Sequence, residues 1–226
     1  MAELSSFAAE LASQGRLLRA ASLGPASAGA RVRVRDGVAF VTDGPFAESK
    51  EAIGGFWILE AESRNAAIAI ARRAFELGEP RPEARSGAIE VHLLRGRYTF
   101  PDSEEGTAFL HVFLQEWGNT DPDGAKGRAM MADGEGLVRD GVLVETAPLA
   151  GDPPPARIAS RRGKTLVTDG PFAETKDVVG GYSVLRAASR VEAIELAQRC
   201  PHAKWGTVEV REIALPLSKS TRPARQ

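Results

Sequence analysis

Two aspartates, Asp43 and Asp169, are the side chains in this sequence best suited to acid–base chemistry. They hold the same position in a segment, Val-Thr-Asp-Gly-Pro-Phe-Ala-Glu, that occurs unchanged at 41–48 and 167–174. An aspartate ordinarily has a pKa of about 3.9, so proton transfer near neutral pH requires burial that raises it. A phenylalanine lies three residues after each aspartate and could provide apolar surroundings. Both aspartates are therefore candidate catalytic residues.

The same segment also has a structural interpretation. An aspartate before Gly-Pro commonly accepts hydrogen bonds from nearby backbone N–H groups and so shapes a turn. Pro45 and Pro171 restrict the backbone and make the loop rigid under either interpretation. Phe46 and Phe172 could contact a ligand or fill the core. The residue types alone leave both interpretations open.

Charged residues continue each copy of the loop. Glu48 and Lys50 follow the first copy of the Asp-Gly-Pro-Phe sequence, and Glu174 and Lys176 follow the second. These pairs could bind a polar group of a ligand. They could equally form exposed ion pairs, which usually contribute little to stability.

The segment recurs at an offset of 126 residues, and a glycine pair follows each copy, at 54–55 and 180–181. A repeat at this spacing predicts two domain-sized units. The glycines predict a close approach of another group to the backbone, either a ligand or a strand. We divide the chain into a first unit, a linker, a second unit and a disordered tail, at 1–95, 96–108, 109–215 and 216–226.

Hydrophobic periodicity and turn residues predict the same order of elements in both units. The first unit begins with a helix that ends at Gly15, continues with a hairpin that turns at 36–37, and contains a second helix capped by Ser63. The second unit repeats this order, with Ser189 as the cap of its last helix. Residues 109–114 predict a buried strand that opens the second unit and has no counterpart in the first.

The repeated loop, its following lysine and its trailing glycine pair resemble the DGPF family, a branch of the YCII-related proteins. The resemblance covers about 3–94, without a first strand, and about 109–213. It implies an α+β fold in which each unit is ferredoxin-like. It also implies that two units join their sheets into an α+β barrel, so that this chain would be an intramolecular pseudo-dimer.

The resemblance implies less about function, because the family has no generally established activity. YCII-related proteins are suspected enzymes in which a histidine and an aspartate face a pocket, and DGPF members resemble accessory proteins encoded near extracytoplasmic-function sigma factors. The loop aspartate of the family corresponds to Asp43 and Asp169. The helical histidine has no counterpart in 2–14 or 123–139. A His–Asp dyad is therefore not expected in either unit.

The histidines and the cysteine show no metal-binding pattern. His92 and His111 lie on predicted strands and His202 in a predicted loop, without the short spacing of metal ligands. His111 could face the barrel interior and contact a ligand, or form an ordinary hydrogen bond on its strand. Cys200 has no activating neighbour in the sequence, which predicts an inert thiol. We predict no metal and no cofactor.

Composition excludes several classes of partner. The 226 residues carry a formal net charge of −1 with a pI near 6.4, which argues against general affinity for nucleic-acid phosphates. No apolar run reaches the length of about 18 residues that spans a membrane. The segment 2–14 lacks the basic start and apolar core of a signal peptide. We expect a cytoplasmic protein that contacts neither nucleic acid nor membrane directly.

Three functions are compatible with the sequence. The first is a small-molecule-binding or accessory module linked to sigma-factor-dependent transcription, with an extracytoplasmic-function sigma factor as a candidate partner. The second is an isomerase or lyase that uses Asp43 or Asp169 as proton carrier. The third is an architectural pseudo-dimer, with or without further self-association. The surroundings of the two aspartates distinguish these functions, because a ligand or substrate requires a cavity in front of them.

Overall fold

A computed structural model describes residues 2–46, 52–78, 87–116, 118, 121–161, 164–170, 172 and 177–214. The fold is α+β. Its helices in the described part are α1 Ala2–Ser13, α2 Arg64–Gly78, α3 Ala125–Arg139 and α4 Arg190–Arg199. Its strands are β1 Leu17–Ser22, β2 Ala30–Arg35, β3 Val38–Asp43, β4 Gly55–Leu59, β5 Ala88–Val91, β6 Tyr98–Thr99, β7 Thr107–Glu116, β8 Leu143–Pro148, β9 Ala156–Arg161, β10 Lys164–Asp169, β11 Asp177–Ala187 and β12 Thr207–Glu212. None of the described helices combines the length and apolarity needed to span a membrane.

The second unit contains the expected strand, helix, hairpin, strand, helix and strand, and one further strand, β8, that the sequence did not predict lies between α3 and the hairpin. Strand β7 lies between β11 and β12, and β8 pairs with the other edge of β11, all antiparallel. Helices α3 and α4 connect these strands and pack on one face of the sheet, where Leu143, Leu185 and Val208 are buried. The predicted strand at 109–114 is confirmed and extends over ten residues. Its apolar residues point to both faces because both faces are covered.

The described part of the first unit contains no counterpart of β7. Strand β4 pairs with β1, and β5 pairs with β9 of the second unit. In the second unit, β7 pairs with both β11 and β12. Among the described residues, no strand pairs with both of the corresponding strands of the first unit, β4 and β5. In the described chain α1 precedes β1.

The two units exchange strand pairs. Strand β2 of the first unit pairs with β12 of the second, with Val32 opposite Val208. Strand β9 of the second unit pairs reciprocally with β5 of the first, with Ile158 opposite Ile89. The strands form sheets of seven, three and two strands, so a continuous closed barrel is not confirmed. Each hairpin nevertheless depends on the other unit for a hydrogen-bonded neighbour.

An apolar core joins the two units on the face of the second sheet opposite α3 and α4. It packs Ala21 and Ile58 of the first unit against Val112 and Val184 of the second. A buried carboxylate, Glu145, lies at this contact and has no exposed surface. Burial of apolar surface contributes about 25 cal/mol per Å², so this core stabilises the contact between the units.

Residues from three segments of the chain contact the Glu145 carboxylate. Arg97 of the linker donates a hydrogen bond to its Oε2 at 2.7 Å, and the Tyr182 hydroxyl donates to its Oε1 at 2.6 Å. Arg19 of β1 brings Nε within 2.7 Å of Oε2, although the N–H is not aligned for a hydrogen bond. Burial and the negative charge of Glu145 raise the pKa of Tyr182, which therefore stays a donor. The network ties β1, the linker and the second sheet together.

Candidate functional site

Each loop aspartate contacts an arginine of the opposite unit. Arg190, the first residue of α4, donates to the Asp43 carboxylate, and Arg64, the first residue of α2, donates to the Asp169 carboxylate. The two arginines are 126 residues apart, as are the two aspartates. The contact is therefore made twice, once in each direction, by equivalent residues.

The arginines also bind the backbone of the opposite unit. Arg190 donates to Ala28 O at 2.9 Å and Gly29 O at 3.1 Å, just before β2. Arg64 donates to Pro154 O at 3.1 Å, just before β9. Each guanidinium thus joins the start of one hairpin to the end of its second strand. Several donors in a fixed planar arrangement are the feature that suits arginine to this task.

The aspartates are exposed. The side chain of Asp43 retains 72% of its accessible surface and that of Asp169 retains 66%. Neither lines the large cavity described below. The burial that acid–base chemistry near neutral pH would require is thus not found around either carboxylate. A catalytic role for them stays a prediction.

Packing within the fold explains several other loop residues. A side chain on Gly44 would overlap Ala26 O. A Cβ on Gly55 would approach Ala21 O to 2.6 Å, and one on Gly181 would approach Ala147 O to 2.9 Å. For the second glycine of each pair, the close approach expected from the sequence is therefore made by a neighbouring strand.

The two loop phenylalanines are half-buried, not core residues. The guanidinium of Arg31 lies over the Phe46 ring at 4.3 Å, and that of Arg157 lies over the Phe172 ring at 5.5 Å. Such cation–π contacts contribute about 0.5–1 kcal/mol at exposed positions. The two arginines belong to β2 and β9 and are equivalent, so each ring covers its own hairpin.

Five of the candidate site residues lie outside the described residues. They are Pro171, which is the counterpart of Pro45, and Glu48, Lys50, Glu174 and Lys176.

A large cavity lies in the second unit, between α3 and the sheet. Its volume is about 1260 Å³. Helix α3 has no fully buried residue, which distinguishes it from α4 and reflects its separation from the sheet. The apolar walls include Phe113, Met130, Leu137, Val138, Leu143 and Leu185. The cavity is larger than the roughly 300–1,000 Å³ typical of small-molecule sites and opens at the surface.

Three polar residues cross the floor of this cavity in one row. Thr146 of β8 pairs with Ser183 of β11, and Ser183 pairs with His111 of β7. The Thr146 and Ser183 hydroxyl oxygens are 2.9 Å apart. All three residues line the cavity, and Ser183 and His111 are buried. This row is a polar feature of a floor that is otherwise mainly apolar.

His111 lies on the helix-covered face of the sheet and forms a hydrogen bond there, which is the second of the two possibilities that the sequence left open. Its Nε2 lies 3.0 Å from Ala193 O of α4. Strand alternation explains the placement, because Leu110 and Val112 take the face that packs on the first unit. Burial lowers the pKa of His111 to about 4, so the ring is neutral near physiological pH.

The first unit has different side chains at the equivalent positions. Ala20 and Trp57, which pair across β1 and β4, correspond by the offset of 126 to Thr146 and Ser183. Trp57 packs against the cluster of Leu11 and Leu17 beneath α1. The position of His111 has no counterpart because its strand is absent from the described first unit. The two units therefore share a fold but differ at this site.

Other ionisable groups lie around the cavity. Burial raises the pKa of Asp133 on α3, and the charge of Arg199 opposes that effect. Burial raises the pKa of the Cys200 thiol to about 12, which supports the prediction of an inert thiol. His202 lies in a short 3₁₀ turn and contacts Leu114 O at 2.9 Å, and burial lowers its pKa. Within the described residues no group of three or more His, Cys, Asp or Glu is placed to bind a metal.

Sequence reasoning missed two sets of functional candidates. Arg64 and Arg190 were detectable, since each follows its helix cap in a repeated Ser-Arg pair at the offset of 126. Thr146 and Ser183 carried no such signal, because they differ from their counterparts in the first unit. Their importance follows only from the register that aligns them with His111.

Comparison with known proteins identifies the repeated unit. The family model for the YCII-related domain matches residues 1–94 and 111–215. An uncharacterised protein of Rhizobium meliloti (strain 1021), R00369, is 35% identical over 94 residues, which cover 42% of this chain and 72% of that protein. The two family matches coincide with the two structural units joined by the exchanged strand pairs and the Arg–Asp contacts. The chain belongs to the YCII-related domain family and contains two such domains in tandem.

Proposed function

We propose that the protein binds a small molecule in the cavity of its second unit, and that the repeated loops hold the two units together as an intramolecular pseudo-dimer. The observation that carries the proposal is the polar row of Thr146, Ser183 and His111 on the floor of a cavity of about 1260 Å³. Buried polar groups within an apolar pocket are the usual means by which a ligand is oriented.

The difference between the two units supports this choice of site. Where the second unit has Ser183 the first has Trp57, whose ring packs beneath α1. A fold that needed only a packed core would favour the packed arrangement of the first unit, because protein interiors are normally close-packed. Polar residues at these positions in the second unit, beside an open cavity, favour binding at that unit.

The role of the loops rests on the reciprocal contacts of Asp43 with Arg190 and Asp169 with Arg64. These contacts favour the architectural interpretation of the loop over the catalytic one. An isomerase or lyase that uses a loop aspartate is the alternative. The link to sigma-factor-dependent transcription rests on the family resemblance alone.

A thermal-shift screen with matched variants tests the binding proposal. Leu in place of Gly134 extends into the cavity, since the nearest atom to a Cβ there is Leu143 Cδ2 at 3.9 Å. Gly136 lies on the opposite side of α3 and does not line the cavity. Both substitutions remove a helical glycine, so both should raise the melting temperature similarly.

Compounds that raise the melting temperature of the wild-type protein and of Gly136→Leu, but not of Gly134→Leu, would support the cavity as the binding site, because a ligand of the folded state stabilises it by mass action. Equal ligand-induced shifts in Gly134→Leu and wild type would reject it.

A further inference from the structure

The hydrogen positions in the polar row are fixed by its neighbours. The Thr146 hydroxyl donates to Tyr182 O at 2.9 Å, which uses its one proton. The contact between the Thr146 and Ser183 hydroxyls must then be donated by Ser183. The Ser183 oxygen can therefore only accept further hydrogen bonds.

The same reasoning applies to His111. A carbonyl oxygen only accepts, so the contact with Ala193 O requires that Nε2 carry the proton. Burial lowers the pKa of the ring to about 4, so only one nitrogen is protonated near neutral pH. Nδ1 therefore has a lone pair and acts as an acceptor.

Ser183 and His111 are direct partners across β11 and β7. Directly opposite residues on one face of an antiparallel pair have Cβ atoms about 4.5–5.5 Å apart, so one functional group of a ligand can reach both. Both residues line the cavity. Two buried acceptors favour a ligand that carries a hydrogen-bond donor, because a buried acceptor without a donor costs about 1–3 kcal/mol.

We propose that the cavity selects molecules with an apolar body and a neutral hydrogen-bond donor group: a primary amide, which donates one N–H to Ser183 Oγ and the other to His111 Nδ1, or a hydroxyl, which donates its one proton to either of them. This inference rests on the proposed binding function. At this row a carboxylate or phosphate ester is disfavoured, since its oxygens would face two lone pairs; the cationic residues Arg95, Lys126 and Arg139 belong to other parts of the lining. The body of the ligand packs against Phe113, Leu143 and Leu185.

A series of probes with one apolar body tests the donor requirement. It consists of 4-phenylbutan-1-ol, 4-phenylbutanamide, 4-phenylbutyl methyl ether and 4-phenylbutanoate, with binding followed by NMR and isothermal titration at millimolar concentration. The alcohol and the amide should bind at least about tenfold more tightly than the ether and the carboxylate, the effect of one unsatisfied buried hydrogen bond. Ser183→Ala should reduce this preference.

Thr146→Val provides a sharper readout, because it removes the acceptor for the Ser183 proton. Ser183 can then donate, so the ether and the carboxylate should gain affinity relative to the alcohol. A general loss of packing would weaken all four probes alike.

The outcomes separate the inference from the proposed function. If the ether or the carboxylate binds as tightly as the alcohol, and Gly134→Leu abolishes that binding, the cavity is a binding site but the donor requirement is wrong. If no probe perturbs the cavity residues, or if Gly134→Leu leaves binding unchanged, both the proposed function and the donor requirement are overturned.

Discussion

Arg190 at the start of α4 donates to Asp43 at the end of β3, and so joins a helix of the second unit to the repeated loop of the first. Arg64 and Asp169 form the same contact in the opposite direction. The aspartate of the repeated segment is thus used identically in both units. This reciprocity accounts for the presence of the aspartate in both loops without requiring that either carries out chemistry.

The first prediction concerns this contact. Arg190→Ala should lower the free energy of unfolding by about 1–2 kcal/mol, because it removes an exposed ion pair and two hydrogen bonds to backbone carbonyls. Asp43→Asn should cost less than about 1 kcal/mol, and a double-mutant cycle should show coupling between the two positions. Chemical denaturation measures all three variants.

The control for that experiment is Arg72→Ala. Arg72 forms an ion pair with Glu76 within α2 and does not bridge the units through that pair. Its removal should cost about 0.5 kcal/mol or less. Equal effects of Arg72→Ala and Arg190→Ala would show that the contact between the units has no special role.

A second prediction concerns the buried Glu145. Glu145→Gln keeps the shape of the side chain but leaves Arg19 and Arg97 without their counter-charge. It should destabilise the protein by about 3–5 kcal/mol, the usual cost of breaking a buried ion pair. Tyr182→Phe removes one hydrogen bond to the same carboxylate and should cost about 1–3 kcal/mol. A milder effect of Glu145→Gln than of Tyr182→Phe would contradict the account of this network.

The third prediction concerns pH. Burial lowers the pKa of His111 to about 4 in the folded state, against about 6.5 when unfolded. Below pH 6.5 the unfolded state binds a proton that the folded state does not. Stability from this residue is therefore complete above about pH 6.5 and falls toward pH 4 by about 1.4 kcal/mol per pH unit.

His111→Gln tests this effect, because its amide can still donate to Ala193 O but does not titrate. The wild-type protein should lose stability more steeply than this variant between pH 6.5 and 4. His202 contributes with the same sign and Asp133 with the opposite sign, but both are present in wild type and variant and cancel in the comparison. Parallel profiles for the two proteins would show that His111 titrates alike when folded and unfolded.

The fourth prediction converts the second unit to the pattern of the first. Thr146→Ala combined with Ser183→Trp reproduces the pair formed by Ala20 and Trp57. The indole should occupy the cavity, so the double variant should fold and lose affinity for 4-phenylbutan-1-ol by at least about tenfold. Isothermal titration checks the affinity, and circular dichroism checks the fold. Retained affinity in a folded double variant would place the site elsewhere.

Local features of the fold were predictable from the sequence because their causes are local. The turn at 36–37 is confirmed, with positive φ at Asp36 (51°) and Gly37 (76°), as a two-residue hairpin requires. The caps are also confirmed, since the Ser63 hydroxyl accepts from Ala66 N and the Ser189 hydroxyl accepts from Glu192 N. Each depends on residues within a few positions of one another.

The buried faces of helices were predicted only in part. The helical spacing of Ala67, Ile68, Ala71 and Phe75 in the sequence predicts that they form the inner side of α2. In the structure the buried residues are Ile70, Ala71, Ala74 and Phe75. The stripe is rotated because α2 packs against both α1 and β9, and one amphipathic pattern cannot reveal two partners. Contacts between the units were likewise not predictable from the sequence, since the pairing of β2 with β12 joins residues about 180 positions apart.

The candidate site was the least predictable feature. The aspartates drew attention because their surroundings are identical in the two units, whereas Thr146 and Ser183 differ from their counterparts. Identity between repeats indicates what both units need, which here includes the contacts that hold them together. A site possessed by one unit alone has to be found from the register of its strands and the space above them.

The most direct test compares the two locations. The affinity of 4-phenylbutan-1-ol is measured by isothermal titration for the wild-type protein, for Asp43→Asn combined with Asp169→Asn, and for Gly134→Leu. We predict that the double aspartate variant binds as tightly as wild type, and that Gly134→Leu binds at least about tenfold more weakly. Loss of binding in the folded aspartate variant, with binding preserved in Gly134→Leu, would contradict the account and return the site to the repeated loops.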